Sequence, residues 1–249
     1  MDVSETAQPF YSGSGRIGVL FCHGFTGSPW ALREFAERTA AAGYRVSLPR
    51  LPGHGTTWRE MNLTGWDDWY SCIDREFEIL HNECDQVFVV GLSMGGALAL
   101  RLVEKRRDQV SALVLVNPAV QAYAKDQIAP LAQYVISSVA AVGSDIAKPG
   151  ESEHAYERTP VKAAASMMKA WVEVRACLDL VTCPVLMFRS TVDHIVPASS
   201  KDFIRDHISS DVIIERVLSR SYHVATRDYD KEQIFTESLD FLATYAAKV

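Results

Sequence analysis

Apolar residues fall along this chain in short continuous runs, not in strict alternation with polar ones. Such runs occupy Ile17–Cys22 and residues 44–48, 87–90, 111–116, 184–188 and 212–217. Most are rich in Val, Ile and Leu and are bounded by turn residues, the pattern of strands buried on both faces. Stretches of helical character separate them. Ser28-Pro29 pairs an N-cap with a first-turn proline and opens a helix to about residue 42, where Gly43 stops it. Further helices are predicted over residues 66–80, over the Ala/Leu-rich stretch that holds Ala97-Leu98-Ala99, and over residues 231–246, where the pattern is amphipathic. Phe10-Tyr11 marks an edge strand. Strand and helix thus alternate, which predicts a mostly parallel sheet covered by helices on both sides. Function is then expected at the carboxyl ends of the strands.

One interval breaks the alternation. From residue 119 to residue 172 no buried strand is evident, and the distance is too long for a simple crossover. Helical pieces are expected at 128–142 and 161–174, around Gly143 and the Lys148-Pro149-Gly150 turn. The expected organisation is a core made of residues 1–118 and 173–249, with residues 119–172 inserted at the carboxyl end of the sheet as a cap.

Composition narrows the class. The chain has 249 residues, 48% of them hydrophobic and 22% charged, in the range of a globular protein with a sizeable core. A net charge of −6 disfavours nucleic acid and anionic membranes as partners. The basic cluster Lys105-Arg106-Arg107 falls at the end of a predicted helix, where it complements the helix dipole. Five cysteines without a C-x-x-C pair read as small core residues in a reducing compartment. The N-terminal residues lack a basic start and an apolar run, and no stretch reaches the length of a membrane span, so a cytoplasmic location is expected.

The chemistry centres on Gly91-Leu92-Ser93-Met94-Gly95. A strand runs into this G-x-S-x-G turn and a helix leaves it, the pattern of a nucleophile elbow. Glycines permit the sharp reversal, which lifts the Ser93 hydroxyl above the sheet beside a helix N-terminus. A serine nucleophile needs a base and a carboxylate to orient that base. Asp193 follows the strand at 184–188, and His223 follows the strand at 212–217. The order Ser93, Asp193, His223 suits this architecture, although His23, His54 and His194 also fall near the expected active edge. Oxyanion donors are expected from the backbone N–H of Met94 and from the early loop His23-Gly24-Phe25-Thr26-Gly27, through the N–H of Phe25.

With these motifs in place the chain resembles the α/β-hydrolase superfamily over essentially its whole length. More narrowly, it is similar to small bacterial carboxylesterases and monoacylglycerol lipases. His23-Gly24-Phe25-Thr26-Gly27, Leu51-Pro52-Gly53-His54-Gly55, the elbow, the Asp193 loop and Ser221-Tyr222-His223-Val224 carry the likeness. The resemblance implies a catalytic triad of Ser93, Asp193 and His223, an oxyanion hole from Phe25 and Met94, and a small helical cap over a trimmed sheet. It also matches Glu153 to a position that contacts the glycerol head group, although His154 stands where an apolar residue is expected. Ile128, Leu131, Val135, Ile136, Val139, Met167, Met168 and Trp171 are candidates for an acyl channel or for the cap's own core. The expected function is serine-dependent cleavage of carboxylic esters, with monoacylglycerol first among substrates. The alternatives are a general short-to-medium-chain carboxylesterase and a ligand-binding receptor on the same fold. The expected partner is a small neutral ester or lipid, without stable insertion into a membrane. No metal or cofactor motif is present: H-E-x-x-H and P-loop patterns are absent.

Overall fold

A computed structural model describes residues 3–123 and 129–246. Its centre is a seven-stranded sheet made of β1 (Phe10–Ser12), β2 (Ile17–Cys22), β3 (Arg45–Leu48), β4 (Gln86–Leu92), β5 (Ala112–Val116), β8 (Val185–Ser190) and β9 (Ile213–Leu218). The spatial order is β1-β3-β2-β4-β5-β8-β9. All pairs are parallel except β1 with β3, where Phe10 lies opposite Leu48, so the expected edge strand is present and antiparallel.

The continuous apolar runs are explained by the pleat. Successive side chains point to opposite faces, so each run feeds two cores at once. Leu20, Val87, Val89, Leu113, Leu115 and Met187 enter one core, together with α3 (Trp66–Glu83) and α4 (Met94–Arg106). Val19, Phe21, Phe88, Val90, Val114 and Phe188 enter the other, with α1 (Trp30–Ala41) and α8 (Lys231–Tyr245). There Phe35 of α1 meets Phe21 edge-on at 5.1 Å and stacks on Phe235 of α8 at 4.8 Å. The last strand departs from the expectation of burial on both faces. β9 is the sheet edge, and Val217 on it is 58% exposed.

The strand order sets the position of the site. From β2 the chain moves outward to β3, then returns to place β4 on the other side of β2. This reversal leaves a crevice beyond the carboxyl ends of β2 and β4, where ligands bind in open parallel sheets. The His23–Gly27 loop and the elbow are its two walls.

The interval between β5 and β8 differs from the expected pair of helices. Residue 128 lies outside the described residues. Instead of a helix over 128–142, α5 is a single turn (Ala129–Ala132), and Ser138–Ala140 forms strand β6. It pairs antiparallel with β7 (Arg158–Pro160), with Val139 opposite Thr159. β-branched Val135, Ile136 and Val139, and a proline at residue 130, favour the extended form over a long helix. The second piece is helical as expected: α6 (Val161–Ala176) packs on α3 and α4, and residue 172 falls inside it. A further four-residue helix, α2 (Trp58–Met61), is capped by Thr57 and Glu60 acting on each other's backbone amides.

Candidate active site

Ser93 stands between β4 and α4 with φ 58° and ψ −120°. A non-glycine residue in this left-handed region is strained, and it persists only where its neighbours hold it. They do so closely. The Ser93 amide donates to Val116 O at 3.0 Å, while its carbonyl accepts from the amides of Gly96 and Ala119 at 2.9 and 3.0 Å. The flanking glycines are there for space. A Cβ on Gly95 would lie 1.9 Å from the carbonyl oxygen of Cys22, and one on Gly91 would lie 2.5 Å from the carbonyl oxygen of Gly95. Backbone cannot yield as a flexible side chain can. Gly95→Ala is therefore expected to destabilise the protein by about 3 kcal/mol or more through overpacking. A urea denaturation midpoint equal to that of the parent would refute this.

His223 follows β9, in a loop clamped by acidic side chains. Asp228 accepts from the amides of Tyr222, Ala147 and Lys148, and Asp230 accepts from the amide of Arg220. Asn117, fully buried just past β5 with φ 44°, donates to the carbonyl of His223 at 2.8 Å and to Ser190 Oγ at 2.9 Å. These contacts hold the imidazole where its Nδ1 lies 3.0 Å from Oδ2 of Asp193. The other carboxylate oxygen, Oδ1, accepts the amides of Ile195 at 3.0 Å and Val196 at 2.7 Å. Although burial opposes ionisation, the His223 imidazole, the Lys201 ammonium and these amides hold the Asp193 carboxyl well below the usual carboxylate range. With an ionised acceptor at Nδ1, the neutral ring carries its proton there and leaves Nε2 as a base.

Ser93 and His223 both line one cavity of about 340 Å³. Phe25 and Met94 line it as well, and a Cβ on Gly24 would touch Ser93 Cβ at 3.4 Å, so the early loop lies against the elbow. Phe25 packs edge-on against Trp69 and against His54, whose own ring meets that of His23 at 4.9 Å. His23 and His54 are fully buried and held neutral, with burial pushing His23 down to about 4. His23 Nδ1 lies 3.0 Å from Gly24 O, and His23 Nε2 accepts the amide of Leu51, so this ring braces the loop.

Glu153 also lines the cavity, and a Cβ on Gly27 would lie 3.1 Å from its Oε2. Burial pushes its carboxyl up to about 7, against the pull of His223. His194, the remaining rival base, lines the cavity too, but its Nδ1 is 2.7 Å from Asp145 and not from Asp193. Of the apolar candidates, Val139, Met167, Met168 and Trp171 line the cavity. Leu131, Val135 and Ile136 do not: they are 75, 87 and 45% exposed, because the chain turns outward where a helix was expected. Ile128 lies outside the described residues.

Three contributors were not foreseen. Asn117 follows the strand predicted at 111–116 and carries no motif of its own. Asp145 sits in the patternless interval, yet its carboxylate accepts the backbone amides of His194 at 3.1 Å and His223 at 3.2 Å. Lys201, in α7 (Ala198–His207), is 1% exposed with Nζ 2.9 Å from Asp193 Oδ2. A signal for the last was present: Lys201 stands three residues before Ile204 in that helix, so the two share its buried face.

Known proteins resemble this chain along almost its whole length. Over 98% of its length the chain is 41% identical to a thermostable monoacylglycerol lipase of a Bacillus species (strain H-257), covering 97% of that protein. The solved structure of a metagenome-derived lipolytic enzyme superposes with a TM-score of 0.94 at 38% identity, covering 98% of this chain and all of the other. The monoacylglycerol lipase of Paleococcus ferrophilus shares the fold, with a TM-score of 0.82 at 17% identity, over 99% of this chain and all of that one. Residues 14–230 match the family described as serine aminopeptidase, S33. The chain therefore belongs to the serine aminopeptidase, S33 family of α/β-hydrolases.

Proposed function

We propose that this protein is a monoacylglycerol lipase acting through an acyl-enzyme on Ser93. The observation that carries the reading is a cavity lined by Ser93, His223 and Glu153 together with apolar side chains. Asp193 fixes the tautomer of His223, whose Nε2 takes the proton from Ser93 Oγ as the hydroxyl attacks the ester carbonyl. The developing oxyanion is met by the N–H groups of Phe25 and Met94, the latter at the positive end of α4. Collapse of the intermediate expels glycerol, which leaves with the proton from His223. Water, activated by the same imidazole, then releases the fatty acid.

Residues 119–172 serve in this reading as the cap. Met167, Met168 and Trp171 receive the acyl chain, and Glu153 receives the hydroxyls of the alcohol. The segment is tied to the core: Trp30 Nε1 donates to Ser152 O, Tyr156 hydroxyl donates to Gly53 O, and Arg227 pairs with Glu151. No described helix is long and apolar enough to cross a membrane. All five cysteines are free, which supports a reducing, cytoplasmic setting.

The test compares turnover of a medium-chain monoacylglycerol, the matching diacylglycerol, the methyl ester of the same acid and an amino-acid anilide. The expected result is a strong preference for the monoacylglycerol. Equal rates on monoacylglycerol and methyl ester would make the protein a general carboxylesterase, and preference for the anilide would make it a peptidase. Absence of Ser93-dependent turnover on all four would instead indicate a binding protein. Within the same assay, Glu153→Ala should raise KM for the monoacylglycerol about tenfold, the cost of losing hydrogen bonds to a carboxylate. The methyl ester, which has no hydroxyls to lose, should be unaffected; equal effects on both would remove the head-group role.

A further inference from the structure

The Asp193 carboxylate has more partners than its role requires. Two backbone amides hold Oδ1, and His223 Nδ1 meets Oδ2, which already fixes the geometry. Yet Oδ2 also accepts Lys201 Nζ at 2.9 Å, and both side chains of this ion pair are almost wholly buried. A buried ammonium carries a large desolvation cost, and an apolar side chain of similar length on α7 would avoid it. The charge is therefore expected to act, and what it faces is the Asp193–His223 pair.

Resting on the triad reading, we propose that Lys201 is a positioning residue that keeps Asp193 ionised and lowers the basicity of His223 as the base. Two consequences follow from one charge. As a second donor to Oδ2, Lys201 locks the oxygen that orients the imidazole. As a fixed cation behind the pair, it opposes a second positive charge on His223, so the imidazole remains a free base to lower pH than Asp193 alone would allow.

Other groups also bear on His223. Asp145 accepts its backbone amide, the Glu153 carboxyl interacts with it electrostatically, and His194 lines the same cavity, bonded to Asp145. The Tyr123 hydroxyl donates to the carbonyl of Asp193 at 2.7 Å. Asp145 and Glu153 in their charged forms favour the imidazolium, so Lys201 is the cation that counters them. Burial pushes the Glu153 carboxyl up to about 7, so its own ionisation would add to a pH profile. The test removes this contribution by using the Glu153→Gln background.

The experiment is the pH dependence of kcat/KM on the methyl ester in Glu153→Gln, with and without Lys201→Met. The expected result is an acid limb moved to higher pH by about one unit when the charge is removed, the effect of losing one nearby like charge. Lys201→Arg, which keeps the charge, should leave the limb in place. Lys201→Gln keeps a donor for Oδ2 without charge and should move the limb as methionine does, which covers the case in which Lys201→Met does not fold. An unmoved limb in a folded neutral variant, with turnover still dependent on Ser93, overturns the role of Lys201 alone. Turnover that survives Ser93→Ala in the same assay overturns the triad reading, and this inference with it.

Discussion

Ser93→Ala is expected to lower kcat on a monoacylglycerol by about a million-fold, the loss seen when the nucleophile of such a triad is removed. The fold should survive. Alanine at φ 58° carries the same backbone strain as serine, and the three hydrogen bonds that hold residue 93 come from its own backbone. Circular dichroism and the denaturation midpoint should therefore match the parent while turnover vanishes. Retained hydrolysis would mean that another residue attacks the ester.

Asp193→Asn is expected to lower kcat by about ten-thousand-fold, and the surrounding donors dictate why. The amides of Ile195 and Val196 both point at Oδ1, so an asparagine must place its carbonyl oxygen there. Its NH2 group then faces His223 Nδ1 and Lys201 Nζ, the two groups that meet Oδ2 in the parent. An imidazole that must accept at Nδ1 carries its proton on Nε2, and a ring protonated there cannot take the proton from Ser93. The donor facing the buried ammonium adds a stability loss that a surface Asp→Asn change would not show. A variant with near-parental kcat would mean that His223 keeps its tautomer by other contacts.

The parts legible in the sequence were those fixed by local patterns. The continuous apolar runs located the central strands because a strand covered on both faces must be apolar at every position. The elbow was legible because backbone crowding at Gly91 and Gly95 leaves no other residue type possible. Boundaries shifted by a residue or two, as at β8, which runs to Ser190. The β6–β7 pair was not legible. Three-residue strands joined across seventeen intervening positions leave no periodicity, and their pairing is decided by the surface they settle on. Asn117 and Asp145 escaped for a related reason: each acts on a loop distant in sequence, so its role exists only once the sheet is assembled. Lys201 lies eight residues from Asp193, but its contact depends on how α7 packs back on that loop.

The most direct test of the central claim is to quench a reaction with a medium-chain monoacylglycerol during the first turnovers and to map the protein by mass spectrometry. An acyl-enzyme mechanism predicts a mass increase equal to the acyl group on the peptide that carries Ser93, absent in Ser93→Ala. Acyl mass on another residue, or rapid hydrolysis with no acylated peptide and no effect of the alanine substitution, would contradict it.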